Sequence, residues 1–312
     1  MKSSNSEQPP VKSSRWPWIA VGVLVVVLLV VVLGIVFSIA ESSSSSMADG
    51  TVALISVTGM IVAGEDSGLF SRNTISSTKL IEQIKQANDD PHIKAIIFEI
   101  NSPGGSAVAS DEVAQAIKAV NKTTVAWIRE VGASGAYWIA SSTNLIVANR
   151  MSITGSIGVL GSYLEFSGLE RKYNVTYQRL VSGKYKDIGS PMKQLTTEEE
   201  YFMQQRLDAI HTIFIEEVAK NRNLPVDRVR EIGNGLFYLG QEAKELGLVD
   251  ILGGKQEAIT YLQDTLGITV KIKEFKERKS LLDILAQTLS EPKIVVMGPG
   301  SQSGQGTGLI QV

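Results

Sequence analysis

The part of the chain between residues 51 and 148 alternates short apolar runs with amphipathic runs, and this alternation is what most constrains its fold. Four runs rich in Val, Ile and Ala predict strands, at residues 51–61, 93–100, 123–128 and 145–148. Residues 77–89 and 106–120 repeat apolar side chains at helical spacing and predict helices. Strands that alternate with helices form right-handed crossovers, so the sequence predicts an α/β fold with a mostly parallel sheet.

The second half of the chain is less regular. Residues 175–181 predict a further strand, and residues 198–223 predict the longest helix, with Thr197 as its N-cap. Shorter helices are predicted at residues 226–232, 241–246 and 257–266. These elements place one globular domain at residues 51–291, followed by a Gly/Ser/Gln-rich tail at residues 292–312 that we expect to be flexible.

An uncharged apolar run of 23 residues, at 18–40, predicts a helix that spans a membrane, since about 20 such residues cross a bilayer. It is too long for the apolar core of a cleavable signal peptide, which reaches about 15 residues. The basic residues that precede it are Lys2, Lys12 and Arg15. By the positive-inside rule, residues 1–17 lie in the cytoplasm, and the linker at 41–50 and the domain lie outside.

Composition excludes several classes of function. With 30 basic and 32 acidic residues, the chain has a net charge of −2 and no basic patch for a nucleic acid. The chain contains no cysteine, which excludes disulfides and thiol catalysis, and its two histidines argue against a metal site. Neither a P-loop nor a G-x-G-x-x-G pattern is present. We therefore expect neither a metal nor a cofactor.

A turn from a predicted strand to a predicted buried helix presents Ser134 between two small residues, Ala133 and Gly135. A serine there has an accessible hydroxyl and lies at the positive end of a helix dipole, both of which an acyl-transfer nucleophile needs. Taken alone, the turn favours a helix N-cap over a nucleophile. The remaining motifs favour the nucleophile.

A second turn, at residues 101–106, joins a buried strand to a helix through Gly104 and Gly105. Two glycines allow a sharp turn and offer unhindered N–H groups. Together with the N–H of Gly135, those groups could hold an oxyanion. An ordinary strand-to-helix turn is the alternative.

A serine nucleophile needs a base, and neither histidine suits this role. His92 precedes a predicted strand, at the end opposite the loop that carries Ser134, and His211 lies inside the longest predicted helix. Both are expected to be structural or solvated. The Ser134 turn also lacks the last glycine of the G-x-S-x-G elbow, which disfavours an α/β-hydrolase triad.

A lysine is the other candidate base, because burial can lower a lysine pKa toward neutrality. Lys184 and Lys186 lie two residues apart in an extended segment, and spacing does not choose between them. Ser156, in the Gly-rich loop at residues 154–158, could orient the amine. A solvated lysine and a simple turn are the alternatives.

Taken together, these motifs resemble the signal peptide peptidase A family, the membrane-anchored Ser–Lys proteases of bacteria and archaea. The motifs that carry the resemblance are Asn-Ser-Pro-Gly-Gly at 101–105, Ala-Ser-Gly-Ala-Tyr at 133–137, Thr-Gly-Ser-Ile-Gly at 154–158 and Tyr-Lys-Asp-Ile-Gly-Ser-Pro at 185–191. The resemblance covers roughly residues 51–254. It implies a crotonase-like, Clp protease-like fold of repeated ββα units.

The resemblance also implies a role for each motif. Ser134 matches the nucleophile, Lys186 rather than Lys184 matches the general base, and Ser156 matches the serine that hydrogen-bonds to that lysine. The oxyanion-hole donors that it implies are Gly104, Gly105 and Gly135.

Substrate, assembly and location follow from the same resemblance. It implies an endopeptidase that degrades remnant signal peptides and other apolar peptides at the outer face of the cytoplasmic membrane. The bilayer would hold the chain through residues 18–40. Family members form homo-oligomeric rings in which serine and lysine can come from neighbouring subunits.

Three other functions remain open at this stage. A protease of the same fold that clips stomatin-like partners would also use a Ser–Lys pair. A crotonase-like acyl-CoA enzyme would need neither Ser134 nor Lys186, and an extracytoplasmic location argues against it. A non-catalytic anchored scaffold would not require Ser134, Ser156 and Lys186 together.

Overall fold

The computed structural model describes residues 28–30, 32, 51–64 and 74–275. Strands and helices alternate along the first half of the domain. The strands are β1 (Val52–Thr58), β2 (Met60–Val62), β3 (Thr74–Ser76), β4 (Ala95–Ser102), β5 (Thr123–Ala133), β6 (Leu145–Ala148), β7 (Ile153–Gly155), β8 (Phe237–Leu239), β9 (Ile251–Leu252) and β10 (Ile272–Phe275). The helices of the domain are α1 (Ser77–Asp89), α2 (Ala107–Lys118), α3 (Gly135–Ser141), α4 (Ser167–Lys172), α5 (Thr197–Arg222), α6 (Val226–Ile232), α7 (Gly240–Glu245) and α8 (Lys255–Leu266).

The main sheet has the strand order β10-β1-β4-β5-β6-β9, and every neighbouring pair in this order is parallel. The long strand β5 has two partners on one side. Its residues 125–128 pair with β6, and its residues 131–133 pair with β7. Strand β8 adds to β7 in the antiparallel direction. The predicted α/β fold with a mostly parallel sheet is confirmed.

The two faces of the sheet carry separate apolar clusters, because successive side chains of a strand point to opposite faces. Ile96, Phe98 and Ile100 of β4 pack on the face covered by α1, α2, α3 and α5. Ala95 and Ile97 pack on the other face, against Ala258 and Leu262 of α8. Helices therefore cover both faces, as parallel sheets require.

Most predicted elements agree with the structure. The predicted helices at 77–89 and 226–232 and the strand at 145–148 have the same ends as α1, α6 and β6. The predicted first strand is divided into β1 and β2 at Gly59, whose φ is +88°. Helix α5 is capped by Thr196 rather than Thr197, through a capping box with Glu199.

The predicted strand at residues 175–181 is wrong. Residues 171–186 are exposed throughout and form no ladder with any strand among the described residues. The apolar side chains that predicted a strand there include Val175, Leu180 and Val181, which are 60%, 96% and 38% exposed. An alternating pattern does not become a strand without a neighbour to accept its backbone hydrogen bonds.

Several predicted segments lie outside the described residues. These are most of the predicted membrane span at 18–40, the terminal segment at 1–17, the linker at 41–50 and the tail at 292–312. Among the residues that are described, no helix is both long enough and apolar enough to cross a membrane.

Two phenylalanines test where the core lies. Phe98 on β4 is fully buried, whereas Phe237 on β8 is 60% exposed. Phe98→Ala is expected to lower the free energy of unfolding by about 3–5 kcal/mol, because it removes buried apolar area and leaves a cavity. Phe237→Ala, the matched control, is expected to change it by about 0.5 kcal/mol or less. Urea unfolding in detergent measures both, and equal losses would contradict this placement of the core.

Candidate active site

Three strands end at the same edge of the sheet, and each is followed by a candidate site residue. Strand β4 leads to Gly104, β5 leads to Ser134, and β7 leads to Ser156. The register aligns Ser102 with Gly132 in one pair of strands and Ala133 with Gly155 in the other. Parallel pairing therefore gathers residues that lie far apart in the sequence.

Ser134 occupies a strained turn between β5 and α3. Its φ of 52° and ψ of −126° are unusual for a residue with a side chain. The turn is held from both sides, since the Ser134 N–H donates to the Gly155 carbonyl at 2.8 Å and the Ser134 carbonyl accepts from the Trp138 N–H at 3.0 Å. The Ser134 residue is half-buried and its hydroxyl caps no helix N–H. The N-cap alternative therefore does not explain this serine.

Helix α3 fixes the turn in place because every one of its residues is buried. The Trp138 ring stacks on Phe214 of α5 with centroids 4.7 Å apart. The Tyr137 hydroxyl donates to the Leu248 carbonyl at 2.9 Å, and burial raises the pKa of this phenol. A helix anchored along its whole length leaves its first residue, Gly135, little freedom to move.

Gly104 packs directly against the Ser134 turn. Its φ is +100°, and a Cβ atom added there would lie 2.7 Å from the Gly135 nitrogen and 2.9 Å from both the Ala133 oxygen and the Ser134 Cβ. Only a glycine permits this approach and this conformation. Gly105 likewise lies against the backbone of Ile61, with which it forms a β-bridge.

The N–H groups of Gly104, Gly105 and Gly135 differ in whether they already donate a hydrogen bond. The Gly104 N–H donates to the Ser102 hydroxyl at 3.1 Å, and that hydroxyl donates to the Gly59 carbonyl at 2.6 Å. The N–H groups of Gly105 and Gly135 have no acceptor within the described part of the chain. They are close together, because the Gly105 nitrogen lies 3.4 Å from the position of a Cβ on Gly135. Two such donors beside a serine have the chemistry to hydrogen-bond to a developing oxyanion.

Ser156 also has a left-handed backbone, with φ of 50°. Its N–H donates to the Leu236 carbonyl at 3.0 Å, and its hydroxyl donates to the Gly235 carbonyl at 3.3 Å. The hydroxyl hydrogen is thus occupied, and the oxygen lone pairs can accept a further hydrogen bond. The sequence does not predict that Gly235 belongs to this arrangement; the Gly-rich pattern at residues 233–235 is its signal.

Lys186 lies apart from this turn. It belongs to residues 174–191, which we call the lysine arm and which are exposed from 174 to 186 and partly exposed from 187 to 190. The Lys186 backbone N–H donates to the Gly183 carbonyl at 3.1 Å. Its ammonium group forms neither a hydrogen bond nor an ion pair with any described residue. The single chain therefore brings Ser134, Gly105, Gly135 and the Ser156 turn together, and leaves Lys186 on the surface.

Lys184, unlike Lys186, has side-chain partners among the described residues. Its ammonium donates to Glu198 at 2.6 Å and lies 4.8 Å from the Tyr185 ring. The hydrogen bond to Glu198 raises the pKa of Lys184. A lysine held in its charged form cannot accept a proton, so the ion pair distinguishes two residues that their spacing did not.

Both histidines have structural surroundings. The His211 Nε2 atom lies 2.7 Å from the Gly233 carbonyl and 3.2 Å from the Ile157 carbonyl, so Nε2 carries the proton and donates. His92 is exposed beside Asp90, at the amino end of β4. The expectation that neither histidine is the base agrees with this geometry.

The sequence of this chain is also similar to the sequences of known proteins. Residues 116–269 match the model of peptidase family S49. A putative signal peptide peptidase of Enterococcus faecium is 32% identical over 73% of this chain and 67% of its own length. A chloroplastic serine protease of Arabidopsis thaliana is 30% identical over 77% of this chain, which spans 34% of that protein.

One solved structure is similar at a lower level. It is a mutant of the 1510-N membrane-bound stomatin-specific protease, with a TM-score of 0.46 and 16% identity. The match covers 74% of this chain and all of that one.

The substitution Gly104→Ala tests whether Gly104 packs closely against the Ser134 turn. The methyl group would overlap backbone atoms on either side of Ser134, and the positive φ alone costs roughly 1–2 kcal/mol in a residue with a Cβ. We expect a lower free energy of unfolding by denaturant and loss of serine reactivity. Gly64→Ala is the control, because an added methyl group there meets nothing within 4 Å. Equal behaviour of the two variants would contradict the described contact.

Proposed function

This chain belongs to peptidase family S49, and on that premise we propose that it is a membrane-anchored serine endopeptidase whose nucleophile is Ser134 and whose general base is Lys186. The observation that carries the proposal is the strained, half-buried Ser134 beside the N–H groups of Gly105 and Gly135, which have no acceptor among the residues that the structure describes. A serine hydroxyl next to two unpaired backbone donors is the arrangement that acyl transfer requires.

The first half of the reaction acylates the enzyme. The Ser134 oxygen attacks the scissile carbonyl carbon while the neutral amine of Lys186 takes the hydroxyl proton. The carbonyl oxygen becomes an oxyanion, and the N–H groups of Gly105 and Gly135 donate to it. The C–N bond then breaks, and Lys186 returns the proton to the leaving amine. An ester between Ser134 and the acyl part of the peptide remains.

The second half hydrolyses that ester. Lys186 takes a proton from water, the hydroxide attacks the ester carbonyl carbon, and the Ser134 oxygen leaves with the proton that Lys186 returns. Ser156 orients the lysine during both halves. Because its hydroxyl hydrogen is donated to Gly235, Ser156 accepts an N–H of Lys186 and leaves the amine lone pair directed at Ser134.

Lys186 reaches Ser134 from a neighbouring copy of the chain in this proposal. The single chain leaves Lys186 exposed and unpartnered among the described residues. The chain also exposes large apolar side chains, a feature that is typical of an interface: Leu160 and Leu164 are exposed by 86% and 73%, and Leu180, in the same arm as Lys186, by 96%. Packing of these side chains against a neighbouring copy in a homo-oligomeric ring would remove them from water.

The proposed substrates are remnant signal peptides and other apolar peptides. The Enterococcus faecium relative carries the name of a putative signal peptide peptidase. A protease held by residues 18–40 in the bilayer, with its domain on the outer side, would meet such peptides at high effective concentration. The proposed fold family is the crotonase-like, Clp protease-like one, supported by the parallel sheet whose carboxyl edge carries the site.

Active-site labelling tests the catalytic pair. Full-length protein in detergent is treated with a fluorophosphonate across a pH series, and the adduct is located by mass spectrometry. We expect labelling at Ser134 alone, at a rate that rises with pH. Lys186→Ala is expected to lower this rate at least about hundredfold, since it removes the base.

Two controls complete the labelling experiment. Ser134→Ala should take up no label, and Lys184→Arg, which keeps the ion pair with Glu198 but has no amine that can act as a base, should keep most of the wild-type rate. Rapid labelling of Lys186→Ala would refute the proposed base. An unlabelled Ser134 in a folded oligomer would refute the proposed nucleophile.

Mixing of inactive variants tests whether the pair spans two chains. Ser134→Ala supplies an intact lysine and Lys186→Ala supplies an intact serine, so a mixed oligomer would contain some complete sites. We expect labelling of Ser134 to reappear after the two variants are dissociated and reassembled together. Failure to recover any labelling in oligomers that demonstrably contain both variants would place the pair within one chain.

A further inference from the structure

The residue after Lys186 is Asp187, whose carboxylate forms ion pairs with two basic side chains. The side chain of Asp187 is 9% exposed, and both its oxygens accept from Arg179, at 2.5 Å from Nε and 2.9 Å from Nη2. Lys193 forms a second ion pair with it at 3.2 Å. These hydrogen bonds, that from Arg179 above all, hold the pKa of Asp187 well below its usual range. The carboxylate is therefore charged throughout the working range of pH.

The same set of charges ties the lysine arm to the start of α5. Lys193 also donates to Glu199 at 2.6 Å, and Glu199 is buried, with 4% of the residue exposed. The second oxygen of Glu199 accepts from the Thr196 N–H at 2.9 Å, as part of the capping box of α5. Because the arm has no strand ladder, these side-chain contacts are among the few that fix the backbone next to Lys186.

The charges in this set cancel. Two cations, Arg179 and Lys193, face two anions, Asp187 and Glu199. Lys184, two residues before Lys186, pairs with Glu198, and this ion pair also has no net charge. An uncompensated carboxylate beside a lysine would stabilise the ammonium form and oppose its action as a base.

We propose that Arg179, Asp187, Lys193 and Glu199, which we call the Asp187 network, position Lys186 and cancel the carboxylate charge beside it, so that the lysine can act as the base. This inference rests on the proposed function. The four residues act through Lys186 and touch no reacting atom, so they are positioning residues. The network thus has two separable effects, one on geometry and one on charge.

The charge effect predicts opposite shifts for two variants. Asp187→Asn removes a negative charge beside Lys186, so the ammonium form is less favoured and the lysine loses its proton at lower pH. Arg179→Gln removes a positive charge and leaves Asp187 less compensated, so the lysine keeps its proton to higher pH. A purely structural contact would lower the rates of both variants without moving their pH profiles apart.

The measurement is the second-order rate of Ser134 labelling by the fluorophosphonate across a pH series, on full-length protein in detergent. We expect the rise of the rate with pH to begin at lower pH in Asp187→Asn and at higher pH in Arg179→Gln. Each shift should be about half a unit or more, given the effect of a nearby charge on an ionising group. Arg179→Lys keeps the charge and should restore a profile close to the wild type.

Controls separate the possible failures. Arg228→Gln breaks an exposed arginine pair on α6, Arg228 with Glu231 at 2.7 Å, and should leave the profile unchanged. Rapid labelling of Lys186→Ala would refute the proposed function itself. Slow labelling of Lys186→Ala, together with profiles of Asp187→Asn and Arg179→Gln that coincide or move in the same direction, would refute only the role of the network.

Discussion

The backbone conformation of Ser134 is the constraint on which the rest of the site depends. A residue with a side chain at φ of 52° is strained by roughly 1–3 kcal/mol, and the surrounding structure must hold it there. The Gly155 carbonyl fixes one side of the residue and the fully buried helix α3 fixes the other. In this conformation the Ser134 hydroxyl makes no capping hydrogen bond to α3. Strand pairing and core packing thus hold the Ser134 backbone in this conformation.

The same constraint explains why the glycines lie where they do. The loop after β4 must pass within van der Waals distance of a turn that is already fixed, and the backbone atoms of residues 133–135 leave no room for a methyl group on Gly104. Close approach in turn brings the N–H groups of Gly105 and Gly135 to one place. If these positions carried side chains, the loop could not pack as closely against the Ser134 turn, and the N–H groups of residues 105 and 135 would lie farther apart.

The sequence predicted the sheet well because burial and alternation leave a strong pattern in it. The alternation of strands and helices, the helix at Ser77–Asp89 and the small residues around Ser134 were all visible there. The strand at 175–181 was predicted wrongly, because local propensity carries no information about whether a neighbouring strand exists. Gly235 was missed as the acceptor for Ser156, since the two residues lie 79 positions apart and only folding joins them.

The choice between two lysines shows most clearly what spacing leaves undecided. Lys184 and Lys186 lie in one segment and are both exposed, and a pattern treats them alike. They differ in the carboxylates nearby in the chain, since Lys184 donates a hydrogen bond to Glu198, whereas Asp187, which follows Lys186 in the sequence, accepts from Arg179. A base must spend part of its time without a proton, and a lysine bound to a carboxylate does so rarely. On this argument the partners of the acids, rather than the positions of the lysines, determine which amine is able to serve.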